Sequence, residues 1–212
     1  MNTGILFDLD GTLLDTLEDL ADSVNHVLSE FCYPRRTLEE VRQFVGNGAA
    51  RLIRLAAPEG ADPAPVLAAF QTYYASHCRI KTKPYDGIPE ALERLKETYP
   101  IAIVSNKPDV AVKALCASLF PGIYARGESD DCPRKPAPDM VKKAMEAIGV
   151  ENCVYVGDSE VDVRTAENAG VPCLSVLWGF RDAACLEAAG AEHYCGDPAM
   201  LEEAIEEIIH GQ

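Results

Sequence analysis

An α/β fold built on a parallel sheet and interrupted near its start by a helical insert is what this sequence predicts, from three observations. Six short apolar runs read as buried strands. Their apolar character is continuous rather than alternating, which marks strands covered on both faces, as in a parallel sheet. From about residue 84 onward strands alternate with helical patterns, and between about residues 16 and 79 there are helix starts but no convincing strand.

The strand runs fall at residues 4–7, 101–104, 122–125, 153–156, 172–176 and, more weakly, 192–195. Residues 110–119, 139–148, 162–169 and 200–209 carry apolar side chains at three-to-four spacing and read as helices between or after the later strands. In the insert, Thr37 with Glu40 forms a capping-box pattern, and Asp62 before Pro63 reads as a cap followed by a first-turn proline. Helices are expected there at 17–31, 38–45, 49–57 and 63–78. The chain should pass into the insert near residues 13–17 and return near 79–87. Residues 1–15 and 80–212 then form the core, and 16–79 the insert.

At 212 residues, 48% hydrophobic and 25% charged, the chain can bury a substantial core. Its formal net charge of −15 disfavours nucleic acid and anionic membranes as partners. The same charge repels phosphorylated small molecules, so binding one requires a local cation. Eight cysteines show no C-x-x-C pair, and Cys153 and Cys173 sit in apolar runs as small core residues. With no leader pattern at the start and no apolar run long enough to span a bilayer, a reducing cytoplasm is the expected setting.

The chemistry concentrates after four strands. Phe7-Asp8-Leu9-Asp10-Gly11-Thr12 ends an apolar strand in two carboxylates. Residues two apart on an extended chain point the same way, and two close carboxylates repel unless they share a cation or a proton. A plain D-G turn explains Asp10-Gly11 but not Asp8, a charge at the end of a buried strand. Ser105-Asn106-Lys107 follows the second strand, where a hydroxyl and backbone N–H groups can hold a phosphate oxygen; taken alone it is also an ordinary loop. In Arg134-Lys135-Pro136-Ala137-Pro138-Asp139, two prolines stiffen the chain around one lysine that could offset phosphoryl charge. Val156-Gly157-Asp158-Ser159-Glu160-Val161-Asp162 ends another strand in acids, which also suits a capped helix start. Magnesium prefers oxygen ligands, and Asp8 and Asp158 at adjacent strand ends could supply them. The C-terminal ends of parallel strands lie on one edge, where ligands bind, so the four segments should converge. His26, His77, His193 and His210 show no ligand spacing.

With DLDGT, SNK, KPAPD and GDSEVD in that order, the whole chain resembles the haloacid dehalogenase superfamily of phosphohydrolases. The resemblance implies a Rossmann-like core with an inserted helical cap. Within the superfamily it is most similar to phosphoglycolate phosphatases, through Val45-Gly46-Asn47-Gly48-Ala49, Lys83-Pro84-Tyr85-Asp86-Gly87 and Trp178-Gly179. It implies Asp8 as nucleophile, Asp10 as acid and then base, and Ser105, Asn106 and Lys135 as the phosphate-binding set. It also implies Mg2+ on the Asp8 carboxylate, the Asp10 main-chain carbonyl and Asp158. Asp162 would orient Lys135 or a metal-bound water, and Thr12 would position Asp10. Gly46, Asn47 and Gly48 are candidates for touching the leaving group, and Arg51 and Arg54 read as surface residues. The expected activity is hydrolysis of a small phosphorylated metabolite, with 2-phosphoglycolate a candidate, by a monomer or homodimer. A phosphomutase similar to β-phosphoglucomutase and a pyrophosphatase remain alternatives, because the cap decides between them. The aspartate at position 10 disfavours dehalogenation, since family dehalogenases lack one there.

Overall fold

The computed structural model describes residues 2–211. Six strands form one parallel sheet in the order β5-β4-β1-β6-β7-β8. They are β1 (Thr3–Phe7), β4 (Ile101–Pro108), β5 (Tyr124–Glu128), β6 (Asn152–Gly157), β7 (Cys173–Val176) and β8 (His193–Cys195). Side chains of β1 alternate between two apolar layers. Ile5 and Phe7 pack with α5 (Ile88–Thr98), α6 (Asp109–Leu119) and α10 (Leu201–His210), whereas Leu6 packs with α7 (Asp139–Ile148) and α8 (Glu160–Ala169). Burial on both faces is why these strands read as unbroken apolar runs. Each fully buried Leu, Ile or Phe contributes roughly 1.5–3 kcal/mol.

The insert comprises α1 (Leu17–Glu30), α2 (Leu38–Phe44), α3 (Gly48–Ala56) and α4 (Pro63–His77). They enclose their own apolar cluster, in which Leu20, Val24 and Leu28 meet Ile53, Val66 and Phe70. Thr37 and Glu40 make the reciprocal capping box, and Asp62 accepts from the Ala64 N–H ahead of α4.

Several elements differ from the sequence expectation. β5 starts at Tyr124, not residue 122, because Pro121 and Gly122 form a turn before it. β4 continues through Ser105–Lys107 to Pro108, with its register against β5 shifting after Val104. Helix α5 was not anticipated, although Ile88, Ala91, Leu92 and Leu95 carry a helical period. The six-residue α9 (Ala183–Ala188) is too short to show one. Cys153 lies in the core, but Cys173 is only half-buried. No helix among the described residues is long and apolar enough to cross a membrane.

The two crossings between core and insert pair with each other. β2 (Leu14–Asp15) and β3 (Lys83–Pro84) form a two-residue antiparallel ribbon. Beside it, buried Asp19 on α1 accepts from the N–H groups of Ile80, Lys81 and Thr82 at 2.8–3.0 Å. One carboxylate thus ties the returning strand to the first helix of the insert. Asp19→Ala should cost about 1–3 kcal/mol in urea denaturation, with Asp19→Asn losing less because its amide keeps one acceptor oxygen.

Candidate active site

The chemistry-bearing segments meet at the C-terminal edge of the sheet. Asp8 follows β1 directly, and its N–H continues the ladder to Val156 O at 2.8 Å. The chain then turns, with Leu13 and Leu14 N–H both reaching Leu9 O. Gly11 sits at φ +89°, and a Cβ there would run into the Asp158 carboxylate. Only glycine lets this turn approach the end of β6 so closely.

Lys135 comes from the loop between β5 and α7. Its side chain is 2% exposed, and Nζ donates to Asp8 Oδ1 at 2.8 Å, Asp162 Oδ1 at 2.8 Å and the Tyr155 hydroxyl at 3.0 Å. All three ammonium hydrogens therefore have partners. Asp8 Oδ2 receives no hydrogen bond from any described residue. Asp162 Oδ2 accepts from Ser159 N and Oγ, so this acid is both a helix cap and a counter-ion to Lys135. Asp158 accepts from Thr12 Oγ1 at 3.1 Å and from Phe180 N at 2.7 Å. The expectation that Thr12 positions Asp10 is corrected: the turn aims its hydroxyl across the strands at Asp158.

Oxygens of Asp8, Asp158 and Asp162 lie within 4.8 Å of one another, all buried. Three carboxylates against one ammonium leave two negative charges in a low-dielectric site. Burial raises the Asp8 carboxyl well above its usual range despite Lys135, with Asp162 and Asp158 adding to the rise. Burial, then Asp162, pushes Asp158 up to about 7. Burial opposes the Lys135 charge, but Asp162 and Asp8 outweigh it and hold the ammonium protonated. The donor set is all oxygen and short of two positive charges, which fits a hard divalent cation.

A second ion pair stands at the mouth. Lys107 Nζ contacts both carboxylate oxygens of Asp10, at 2.8 and 3.0 Å, and the hydroxyl of Tyr74 from α4 at 2.6 Å. Burial pushes against this ammonium, but Asp10 and Tyr74 more than offset it and raise its pKa. The sequence motif Ser105-Asn106-Lys107 includes Lys107 but assigns it no role, and no motif reaches Tyr74 at all. The clue for Lys107 was available, since it is two residues from Ser105 on a strand and so shares its face. Nothing local marks Tyr74, which reads as one more apolar position of its helix.

Asp8, Asp10, Ser105, Asn106 and Lys107 line one cavity of about 50 Å³ with Gly46, Gly48, Ala49, Leu52, Phe70 and Tyr74 of the insert. The Asn106 carboxamide is occupied by the main chain of Lys135, at 2.8 and 3.0 Å, and by Gly46 O at 3.2 Å. It fixes the Lys135 loop and the insert loop to the end of β4. Asn47 does not line this cavity; it faces a separate groove with Arg51, Arg54 and Arg134.

Residues 5–176 match the family model described as haloacid dehalogenase-like hydrolase. A phosphoglycolate phosphatase of Pseudomonas putida is 36% identical over 198 residues, covering 87% of this chain and 72% of that protein. A phosphoglycolate phosphatase of Rhodobacter capsulatus is 36% identical over 192 residues, covering 85% and 87% respectively. Among solved structures, one from Lactobacillus delbrueckii subsp. bulgaricus superposes with a TM-score of 0.90 at 36% identity, over 95% of this chain and 97% of that one.

The raised Asp158 carboxyl has a signed consequence for stability. Folded Asp158 binds its proton up to about pH 7, whereas the unfolded group releases it near 3.8. Its contribution is therefore full below the unfolded value and is lost as pH rises towards 7. With chelator present, wild type should lose about 2–3 kcal/mol relative to Asp158→Asn between pH 5 and pH 8 in chemical denaturation. Parallel curves for the two proteins across that range would contradict the assignment.

Proposed function

The chain belongs to the haloacid dehalogenase-like hydrolase family, and on that premise we propose that it is a magnesium-dependent phosphatase of small phosphate monoesters, 2-phosphoglycolate among them. The observation that carries this reading is the buried Asp8–Lys135–Asp162 cluster beside Asp158 at the strand ends. An anionic nucleophile must meet an anionic phosphoryl group there, and phosphoryl transfer depends chiefly on positioning and charge.

Lys135 takes Asp8 Oδ1, which leaves Oδ2 of this cavity-lining side chain without a hydrogen bond from any described residue. Oδ2 attacks phosphorus in line, the P–O bond to the leaving alcohol breaks, and Asp8 carries the phosphoryl group as an acyl phosphate. Asp10, held at the wall by Lys107, which Tyr74 braces in turn, enters the step protonated and gives that proton to the departing alkoxide. It then takes a proton from water, whose oxygen attacks phosphorus and releases inorganic phosphate and Asp8. Ser105 and the backbone at Asn106 receive phosphoryl oxygens, while Lys135, its hydrogens already engaged, contributes charge. Magnesium would be held by Asp8, the Asp10 main-chain carbonyl and Asp158, and when bound it supplies positive charge against the phosphoryl oxygens. Asp162 keeps Lys135 in place.

The leaving group is small in this reading. On the insert side Leu52, Phe70 and Tyr74 wall the cavity that Asp8 and Asp10 line, which favours a small leaving group. The curated relatives named as phosphoglycolate phosphatases point the same way. The insert excludes water while the ester is attacked and, by moving on the β2–β3 ribbon, admits it afterwards. A diffusible metabolite and a cytoplasmic setting complete the proposal.

Purified protein should release p-nitrophenol from p-nitrophenyl phosphate with Mg2+ and stop when chelator is in excess. Asp8→Asn should lower kcat by at least about a thousandfold, because nucleophile and charge go together; activity equal to wild type would remove Asp8 from the chemistry. In a screen of phosphorylated metabolites, 2-phosphoglycolate should yield free phosphate faster than any hexose phosphate. An isomerised sugar as the main product would identify a mutase instead, and preferred cleavage of pyrophosphate a pyrophosphatase.

A further inference from the structure

We propose that Phe180 and Arg181 are positioning residues through which the docked insert holds Asp158 in its cation-binding orientation. The inference rests on the reading of Asp158 as a cation ligand. It starts from a loop that belongs to the core in sequence but to the insert in packing. The Phe180 ring lies in the apolar cluster of α1–α4, more than a hundred residues along the chain from those helices. Its own N–H donates to Asp158 Oδ2 at 2.7 Å. A single residue thus anchors its side chain in the insert and its backbone on a carboxylate of the site.

Arg181 makes the same connection with polar groups. Nε donates to Glu160 Oε2 at 2.9 Å, on the helix that follows Asp158. Nη1 and Nη2 donate to Arg42 O at 2.9 Å and Val45 O at 2.6 Å. Those carbonyls lie at the C-terminal end of α2, where acceptors lack helical partners and the dipole favours a cation. In return Arg42 Nη1 approaches Gly179 O at 3.4 Å.

The loop between these anchors has no slack. A Cβ on Gly179 would collide with both the Asp158 side chain and Gly11 O. Trp178 Nε1 donates to Thr12 O at 3.0 Å, and the Thr12 hydroxyl donates to the other Asp158 oxygen. Both Asp158 oxygens are therefore oriented by segments packed on one another. On the Phe180 side that packing is complete only while the insert is docked. Hydrogen bonds that orient a metal-binding carboxylate set its affinity for the ion. When the insert withdraws, the anchors of Phe180 and Arg181 go with it, the Phe180 N–H is no longer fixed, and the carboxylate is freed to turn.

Isothermal titration of the full chain with MgCl2, comparing wild type, Phe180→Ala, Phe180→Leu, Arg181→Ala and Asp158→Asn, tests this. Phe180→Ala and Arg181→Ala should each weaken Mg2+ binding by about tenfold, while Phe180→Leu, which refills the apolar contact, stays within about twofold. A role confined to stability would lower Tm and leave the Mg2+ dissociation constant unchanged, which overturns the proposal. Should Phe180→Ala fail to fold, Arg181→Ala carries the test alone, since its side chain lies outside the apolar cluster. If wild type and Asp158→Asn bind Mg2+ equally, or wild type takes up none, the ligand role of Asp158 falls and this proposal with it. If wild type binds and both alanine variants match it, only the positioning role falls.

Discussion

Carboxylates cannot be gathered at the buried end of a hydrophobic sheet unless positive charge is placed among them, and Lys135 is the group that does so. Its ammonium lies 2.8 Å from both Asp8 and Asp162 and is almost wholly out of water. Removing one partner from such a pair leaves an uncompensated buried charge, a loss of about 3–5 kcal/mol. The surrounding architecture follows from that constraint. The sheet order sets β1 beside β6, so that Asp8 and Asp158 emerge side by side. Asn106 pins the loop that carries Lys135, and Tyr155 spends its hydroxyl on the same ammonium. Even so, the cluster remains short of positive charge, and burial drives Asp8 and Asp158 towards protonation. Three buried carboxylates poised in this way have the donor set that suits a divalent cation.

The insert is joined to this centre in three physically different ways. The β2–β3 ribbon and Asp19 hold the crossings together. Tyr74 reaches Lys107, and through it Asp10. Phe180 and Arg181 fasten the core loop after β7 into the insert's apolar cluster and onto the end of α2. The first connection is covalently continuous and suits a hinge. The other two are a buried polar contact and a packed ring beside an arginine clasp, neither of them part of the chain crossings. Each ends on a different carboxylate of the site, Asp10 for the polar contact and Asp158 for the packed ring.

Which parts were legible beforehand follows from the range of the interactions. β1, β6 and β7 were visible because burial on both faces leaves a continuous apolar run, and the helices of the insert because their caps and periods are local. The ribbon was not, since two residues carry no period. Thr12 was read towards Asp10, its neighbour in sequence, whereas the turn at Gly11 sends it to Asp158, its neighbour in space. Asn47 was grouped with Gly46 and Gly48 by adjacency, yet the loop turns it to the outer groove.

By itself the sequence determined the alternation of strands and helices, the presence of a helical insert and the acidic strand ends, because each is written in residues close together along the chain. The parallel register then required those ends to share one edge. Only the tertiary structure decided that Lys107 holds Asp10, that Tyr74 completes the pair and that Phe180 belongs to the insert's core. Those contacts join segments 33 and 97 residues apart, or a core loop to a distant bundle. No local period or propensity records a partnership between segments that belong to two distinct apolar units of the fold.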